Sequence, residues 1–154
     1  MDKQTVDSRP CFLCEKNRPE CQIVMPTGNS LSLLVNPFPI LPMHFTLPCD
    51  RHIPQAIYEN YGYIFDLLER FTDLLVFYNG PKCGASAPVH MHIQAGMGQR
   101  LPLQEEWPLL KGELQTIAET RQGDTLLAME HYIFKAFVII SRSRKGDVEL
   151  FRRL

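Results

Sequence analysis

No stretch of this 154-residue chain holds the run of about 20 apolar residues that a helix needs to cross a bilayer, so a helical membrane span is excluded. The opening residues, Met1-Asp2-Lys3-Gln4-Thr5-Val6-Asp7-Ser8, lack the apolar segment of a signal peptide. An excess of one charge is also missing. The formal net charge is −1, which argues against a broad nucleic-acid surface and leaves room only for a local basic patch. There is no internal repeat and no low-complexity tract. The five cysteines are an odd number, which suits free or metal-bound thiols in a reducing compartment better than a disulfide framework. These absences lead us to expect a soluble cytoplasmic protein with neither a nucleic-acid nor a membrane partner.

What is present reads as globular, with 45% hydrophobic and 21% charged residues. The length suits one ordinary domain with a single core, residues 1–154. Residues 1–10 are polar and expected to be loose. Cys11-Phe12-Leu13-Cys14 follows, then a polar turn region through Arg18-Pro19-Glu20. Leu31 to Asn36 reads as a buried strand ended by Pro37 and Pro39, which with Pro42 make a stiff, extended connection. His44 to Leu47 reads as the next strand, closed by Pro48. Ile57, Tyr58, Tyr61, Ile64, Phe65, Leu68 and Phe71 fall at helical spacing, so a long amphipathic helix is expected over 55–72. Leu74 to Tyr78 reads as a short strand, and Asn79-Gly80-Pro81 as a turn. Further on, Leu109 to Thr120 reads as a second helix, and Thr125–Met129 and Tyr132–Ser141 as two strands. Asp147 to Leu154 reads as a helix that stops short, as if the chain were part of a larger enzyme.

The most informative stretch is His90-Met91-His92-Ile93-Gln94. On a strand, alternate side chains share a face, so the two imidazoles and the carboxamide would point one way and Met91 and Ile93 into a core. Just upstream, Gly84-Ala85-Ser86-Ala87-Pro88 is a small-residue loop whose backbone N–H groups can approach an anion. An imidazole can attack phosphorus and hold it covalently, provided its other nitrogen donates to a fixed acceptor. Ser86, the loop N–H groups and Gln94 could stabilise the developing charge. A solvated sheet face is the plain alternative for such an alternation.

These residues resemble a known family. Gly84 to Gln94 is similar to the active-site strand of the histidine-triad (HIT) superfamily. The final Gln in place of a third His resembles its transferase and phosphorylase branch, which holds galactose-1-phosphate uridylyltransferase, diadenosine tetraphosphate phosphorylase and GDP-L-galactose phosphorylase. The likeness is greatest to bacterial relatives of the last. Asn36-Pro37-Phe38-Pro39 followed by Pro42 to Pro48 resembles the superfamily's segment of Asn-Pro, Gly-His and an apolar strand ending in Pro. Phe77-Tyr78-Asn79-Gly80 resembles the strand and turn before the phosphate loop. The likeness covers residues 11–96.

The resemblance implies an α+β fold, an antiparallel sheet with a long helix packed on one face. It implies a nucleotidyltransferase or nucleotide phosphorylase that works through a covalent nucleotidyl-histidine. The substrate would be a nucleoside diphosphate sugar or a dinucleoside polyphosphate, and a homodimer would be in character. His92 would be the nucleophile, Ser86 and Gln94 would hold the phosphate, and His44 would lie behind the catalytic strand. Asn36, Asn79 and Gly84 would join Ser86 and Gln94 around the nucleotide. Two departures bear on this. Val89 adds one residue between Pro88 and the first His, which bears on where Ser86 falls. Met43 stands where the pattern has Gly, which bears on the backbone before His44. The other readings are a hydrolase of the same type and a non-catalytic, zinc-stapled nucleotide-binding module.

Cys11-x-x-Cys14 is a spacing that lets two thiolates chelate one tetrahedral ion; a redox pair or two unrelated thiols are the alternatives. His52 and His90 are candidates for the two remaining ligands. The resemblance supports a structural zinc on Cys11, Cys14, His52 and His90. Cys21, Cys49 and Cys83 read as packing thiols, with Cys49 a competing ligand by its nearness to His52. His131 reads as a turn or surface residue, Glu105-Glu106-Trp107-Pro108 as a solvated turn, and Arg142, Arg144 and Lys145 as an exposed loop. Lys82 and Arg100 flank the histidine strand and could meet phosphate.

Overall fold

Leu31–Asn36 and His44–Pro48 carry the apolar pattern of strands, and both form. The computed structural model describes residues 9–28, 30–98 and 101–154. The chain divides into two compact units, Met1–Gly98 and Gln99–Leu154. The first contains β1 (Val24–Pro26), β2 (Ser32–Val35), β3 (Phe45–Pro48), α1 (Gly62–Arg70), β4 (Leu74–Phe77) and β5 (His92–Met97). Its sheet has five strands in the order β1-β2-β3-β5-β4, every neighbouring pair antiparallel. The second contains α2 (Pro102–Leu110), β6 (Gln115–Glu119), β7 (Thr125–Met129), β8 (Ala136–Ile140) and α3 (Arg144–Phe151), with an antiparallel sheet ordered β6-β7-β8. The fold class is α+β. Among the described residues, no helix is long and apolar enough to cross a membrane.

Register decides which side chains share a face of the first sheet. Leu47 lies opposite Ile93, and Phe45 opposite Ala95. With Leu31, Leu33, Met91 and Leu67 of α1, these residues build the core, and Tyr63, Ile64, Phe71 and Val76 pack against it. Each large apolar side chain buried there contributes about 1.5–3 kcal/mol. The other face carries Leu34, Thr46, Gln94 and Phe77 as one row across four strands. Leu34 packs with Leu13, Ala87 and Cys11, so the N-terminal segment and the small-residue loop both reach this face. Gly96 follows Gln94 by alternation. A Cβ there would lie 2.9 Å from the Cβ of Leu41, so glycine lets the Pro37–Met43 connection cross β5 closely.

Several elements differ from the sequence reading. The helix expected over 55–72 spans only Gly62–Arg70. Ahead of it the amide of Asn60 donates to the Ala56 carbonyl at 2.8 Å, taking an acceptor that an α-helix would use. The backbone bonds Asn60 N–Ile57 O, Tyr63 N–Asn60 O and Ile64 N–Tyr61 O are all of the tighter i to i−3 kind. The histidine strand starts at His92, so His90 and Met91 precede it. The helix read over Leu109–Thr120 is instead the end of α2 followed by β6, where Thr116 and Ile117 favour a strand. Glu105, Glu106, Trp107 and Pro108 lie in α2 rather than a turn. Arg144 and Lys145 open α3 rather than extend a loop, because the Ser143 hydroxyl accepts from Gly146 N–H as an N-cap. β1 was not anticipated.

Candidate functional site

Three distant pieces of chain meet at one end of β5. They are the Cys11–Cys14 turn, the segment after β3 that holds His52, and His90. The ligand atoms of Cys11, Cys14, His52 and His90 all lie within 4.8 Å of one another. Nδ1 of His52 is 3.0 Å from Sγ of Cys14, and Nδ1 of His90 is 3.3 Å and 3.6 Å from Sγ of Cys11 and Cys14. An ion bound at about 2.0–2.3 Å in a tetrahedron sets its ligand atoms roughly 3.3–3.8 Å apart, so four ligand atoms within 4.8 Å are close enough to hold one metal ion with a small adjustment.

The surroundings agree. His90 Nε2–H donates to the carbonyl of Cys49 at 2.8 Å, which leaves Nδ1 with its lone pair toward the thiols. Burial is the main cause that holds the His90 ring below the usual histidine value, keeping it neutral as a ligand must be. Burial and the adjacent Cys11 push the Cys14 thiol up, since two neighbouring thiolates repel until a cation joins them. Cys49 is not a competing ligand. Its thiol lies in the apolar core, burial pushes that thiol up, and only its backbone touches the centre.

Past the centre, the strand turns from metal ligands to a second set of groups. His92 is 2% exposed. Its Nδ1–H donates to the His90 carbonyl at 2.9 Å, so Nε2 carries the lone pair. Among the described residues Nε2 makes no hydrogen bond. Burial holds this ring below the usual histidine value, and the His90 carbonyl opposes that in part. His44 is buried as well. Nδ1 of His44 accepts the N–H of Ile40 at 3.2 Å, so its Nε2 bears the hydrogen and donates to Oε1 of Gln94 at 3.0 Å. That bond fixes the Gln94 carboxamide with its NH2 free to donate elsewhere. The His44 ring also stacks on Phe77 at 5.7 Å. Nδ2 of Asn36 donates to Oγ1 of Thr46, the residue opposite Gln94, and Oδ1 of Asn36 accepts from Phe38 N.

The four expected metal ligands are therefore one cluster; Gln94, His44 and Asn36 are joined by hydrogen bonds, and His92 stands two residues before Gln94 on the same strand face. Asn79 is tied to His92 through its carbonyl, by way of Gln55. Ser86 and Gly84 are exposed on the loop, Gly84 at φ +86°, and no described hydrogen bond ties either to His92. Met43 adopts φ +50°, a left-handed backbone that a residue other than glycine seldom takes. Lys82 and His131 are exposed, and Arg100 and residues 1–8 lie outside the described residues.

Two residues were missed from sequence. Arg9 donates from Nη2 to the carbonyl of Ser86 and rests on the Phe12 ring at 5.1 Å. Gln55 is buried against β4 and β5. Nothing in their spacing marked either one. A polar residue at an apolar position was the only signal for Gln55. The family model described as Domain of unknown function (DUF4922) matches residues 1–97, nearly all of the first unit. No curated protein and no solved structure matches the chain.

Proposed function

The chain belongs to the DUF4922 family, and on the geometry of its histidine strand we propose that it is a nucleotidyltransferase or nucleotide phosphorylase of HIT-like type. The observation that carries this reading is the paired tautomers. His90 fixes the proton of His92 on Nδ1, and His44 turns the Gln94 carboxamide so that its NH2 is offered. A lone pair and a non-titrating donor then stand at neighbouring positions of one strand face.

In the reaction, Nε2 of His92 attacks the α-phosphorus of a nucleoside diphosphate sugar or dinucleoside polyphosphate. The N–P bond forms, the P–O bond to the departing sugar phosphate or nucleoside phosphate breaks, and the leaving oxygen keeps the electron pair. An oxygen of inorganic phosphate or of a sugar phosphate then attacks the same phosphorus and releases neutral His92. Gln94 donates to the phosphoryl oxygens through both steps, and Ser86 with its loop approaches the same phosphate. Asn36 faces the ribose or base. The metal is zinc on Cys11, Cys14, His52 and His90, and its chemistry is structural: it fastens the N-terminal segment to the residue that orients His92.

Incubation with a panel of nucleotide sugars and dinucleoside polyphosphates, read by intact mass, is expected to reveal a nucleotidyl adduct on His92 that His92→Ala cannot form. Full turnover by His92→Ala refutes the mechanism. Product analysis with and without added phosphate separates phosphorolysis from hydrolysis. The deep burial of His92 favours one second reading, a non-catalytic nucleotide-binding module. Nucleotide-dependent thermal stabilisation with no adduct would select it. Elemental analysis of protein purified without added metal is expected to give zinc, and equal zinc in Cys14→Ala removes that ligand.

A further inference from the structure

The β4–β5 ladder ends with Phe77 opposite Gln94. Continued by two residues, the same register would bring Asn79 opposite His92. The strands do not pair there. The side chain of Gln55 occupies the gap. Its Nε2 donates to the carbonyls of Asn79 at 2.9 Å and His92 at 3.0 Å, and its Oε1 accepts the N–H of His92 at 2.7 Å. The residue is 3% exposed. Across β5, His92 lies opposite Pro48, and its N–H and C=O both point away from β3 toward Gln55. Both backbone polar groups of His92 are therefore held by a single side chain.

We propose that Gln55 is the positioning residue of His92, its carboxamide standing in for a strand residue so that the His92 backbone is fixed where the β4–β5 ladder has already parted. This rests on the reading of His92 as nucleophile. The argument is one of geometry. A regular β4–β5 pair at this point would place Asn79 alongside His92, with its side chains and backbone closing that edge. A side chain reaching in from the segment after β3 supplies the same hydrogen bonds without a continuing strand. Gln suits the role because its carboxamide offers, on one planar group, donors for two carbonyls and an acceptor for an N–H, a set it shares with Asn but carries one methylene further from the backbone. Loss of a buried partner leaves those groups unsatisfied and lets the His92 Cα shift, and a misplacement near 1 Å costs about 100-fold in an oriented reaction.

Two variants test it. Gln55→Met keeps the volume and removes all three bonds. Gln55→Glu keeps the acceptor for His92 N–H and loses the donors. Each is compared with the wild type for melting, metal content, nucleotide affinity and rate of adduct formation. The expectation is a folded, metal-replete protein whose affinity stays within about 2-fold and whose adduct forms about 100-fold more slowly. A folded variant that forms the adduct at the wild-type rate overturns the proposal. So does failure of both variants to fold, which would assign Gln55 to stability alone. A wild type that forms no adduct with any nucleotide refutes the nucleophile reading instead. The positioning role is then read by NMR, from amide exchange at His92 and from its ring tautomer. Loss of His92 amide protection and a mixed tautomer in Gln55→Met support it, and an unchanged His92 overturns it.

Discussion

Stripping the metal from the Cys11, Cys14, His52 and His90 centre should release the N-terminal segment while leaving the sheet intact. Ordering the backbone of Arg9–Arg18 costs about 1–2 kcal/mol per residue, hence roughly 10–20 kcal/mol. The contacts that hold this segment are few. Leu13 is buried against Leu34 and Ala87, which contributes about 1.5–3 kcal/mol. The Arg9–Phe12 stack adds about 0.5–1 kcal/mol. The hydrogen bonds from Asn17 to the Cys11 carbonyl and from Arg18 to the Leu13 carbonyl add about 1 kcal/mol each. With the Arg9 hydrogen bond to the Ser86 carbonyl these contacts give about 6 kcal/mol, and a bound metal ion worth what a structural zinc is in small peptides, about 10–16 kcal/mol, closes the difference. The core residues Leu31, Leu47, Met91 and Ile93 touch none of this and should persist. Trypsin reads the outcome cleanly, because Arg9 and Arg18 each precede a proline and Lys16 offers the cleavable bond of the segment. Dialysis against a chelator should make the bond after Lys16 labile and leave the fragment from Asn17 onward folded. If the stripped protein resists cleavage at Lys16 as well as the loaded one does, Leu13 and its neighbours hold the segment without help, and the stapling role is refuted.

Three other perturbations have defined outcomes. Gly96→Ala drives a Cβ to 2.9 Å from that of Leu41, so a loss of about 1–3 kcal/mol should lower the urea midpoint, and an unmoved midpoint would show that the crossing connection yields. On the proposed mechanism, Gln94→Glu replaces a donor by an anion where the substrate phosphate would lie, so quenched-flow mass analysis should show adduct formation about 100- to 1000-fold slower; retention of the wild-type rate removes Gln94 from the proposed site. Burial depresses the pKa of both His90 and His92 below the 6.5 of a free ring. The unfolded chain therefore binds protons that the folded one refuses. Stability should fall as pH drops below about 6.5 and level off below the folded values, with a shallower fall in His92→Gln. A denaturation midpoint flat from pH 8 to 5 contradicts that burial. Asp124 is shifted in the same direction, its carboxyl held below 3.8 chiefly by the N–H of Arg142. Its contribution is present above about pH 4 and is lost as pH falls through the lower folded value, a second acid loss that Asp124→Asn should abolish.

The parts of the molecule legible from sequence are those where one local rule acts without a rival. β2, β3, β4 and β7 follow short apolar runs punctuated nearby by Pro, Asn, Asp or Gly, so their existence could be read locally. The metal cluster was legible because a Cys-x-x-Cys turn and two histidines make a small, chemically distinctive set. The length of α1 was not. Its apolar spacing continues back to Ile57, but Asn60 captures the Ala56 carbonyl locally and Gln55 is drawn away to β5 by a tertiary contact, neither of which apolar periodicity registers. The second unit misled for a related reason. Leu109, Leu110, Ile117 and Ala118 fit a helical stripe only if Gly112 and the β-branched pair Thr116-Ile117 are ignored.

Met43 carries a left-handed backbone without being glycine. A non-glycine residue at φ +50° costs roughly 1 kcal/mol, and its side chain recovers little, being 63% exposed. The strain persists because the bonds around it converge on His44: Asn36 N–H on its carbonyl at 3.0 Å, Ile40 N–H on its Nδ1, and its own Nε2–H on Gln94. Remove the turn at Met43 and Ile40 no longer selects the His44 tautomer. The Gln94 carboxamide would then be free to flip its NH2 inward. The orientation of one amide on β5 thus depends on a strained residue in the loop between β2 and β3, and that dependence, rather than any property of methionine, accounts for the left-handed turn.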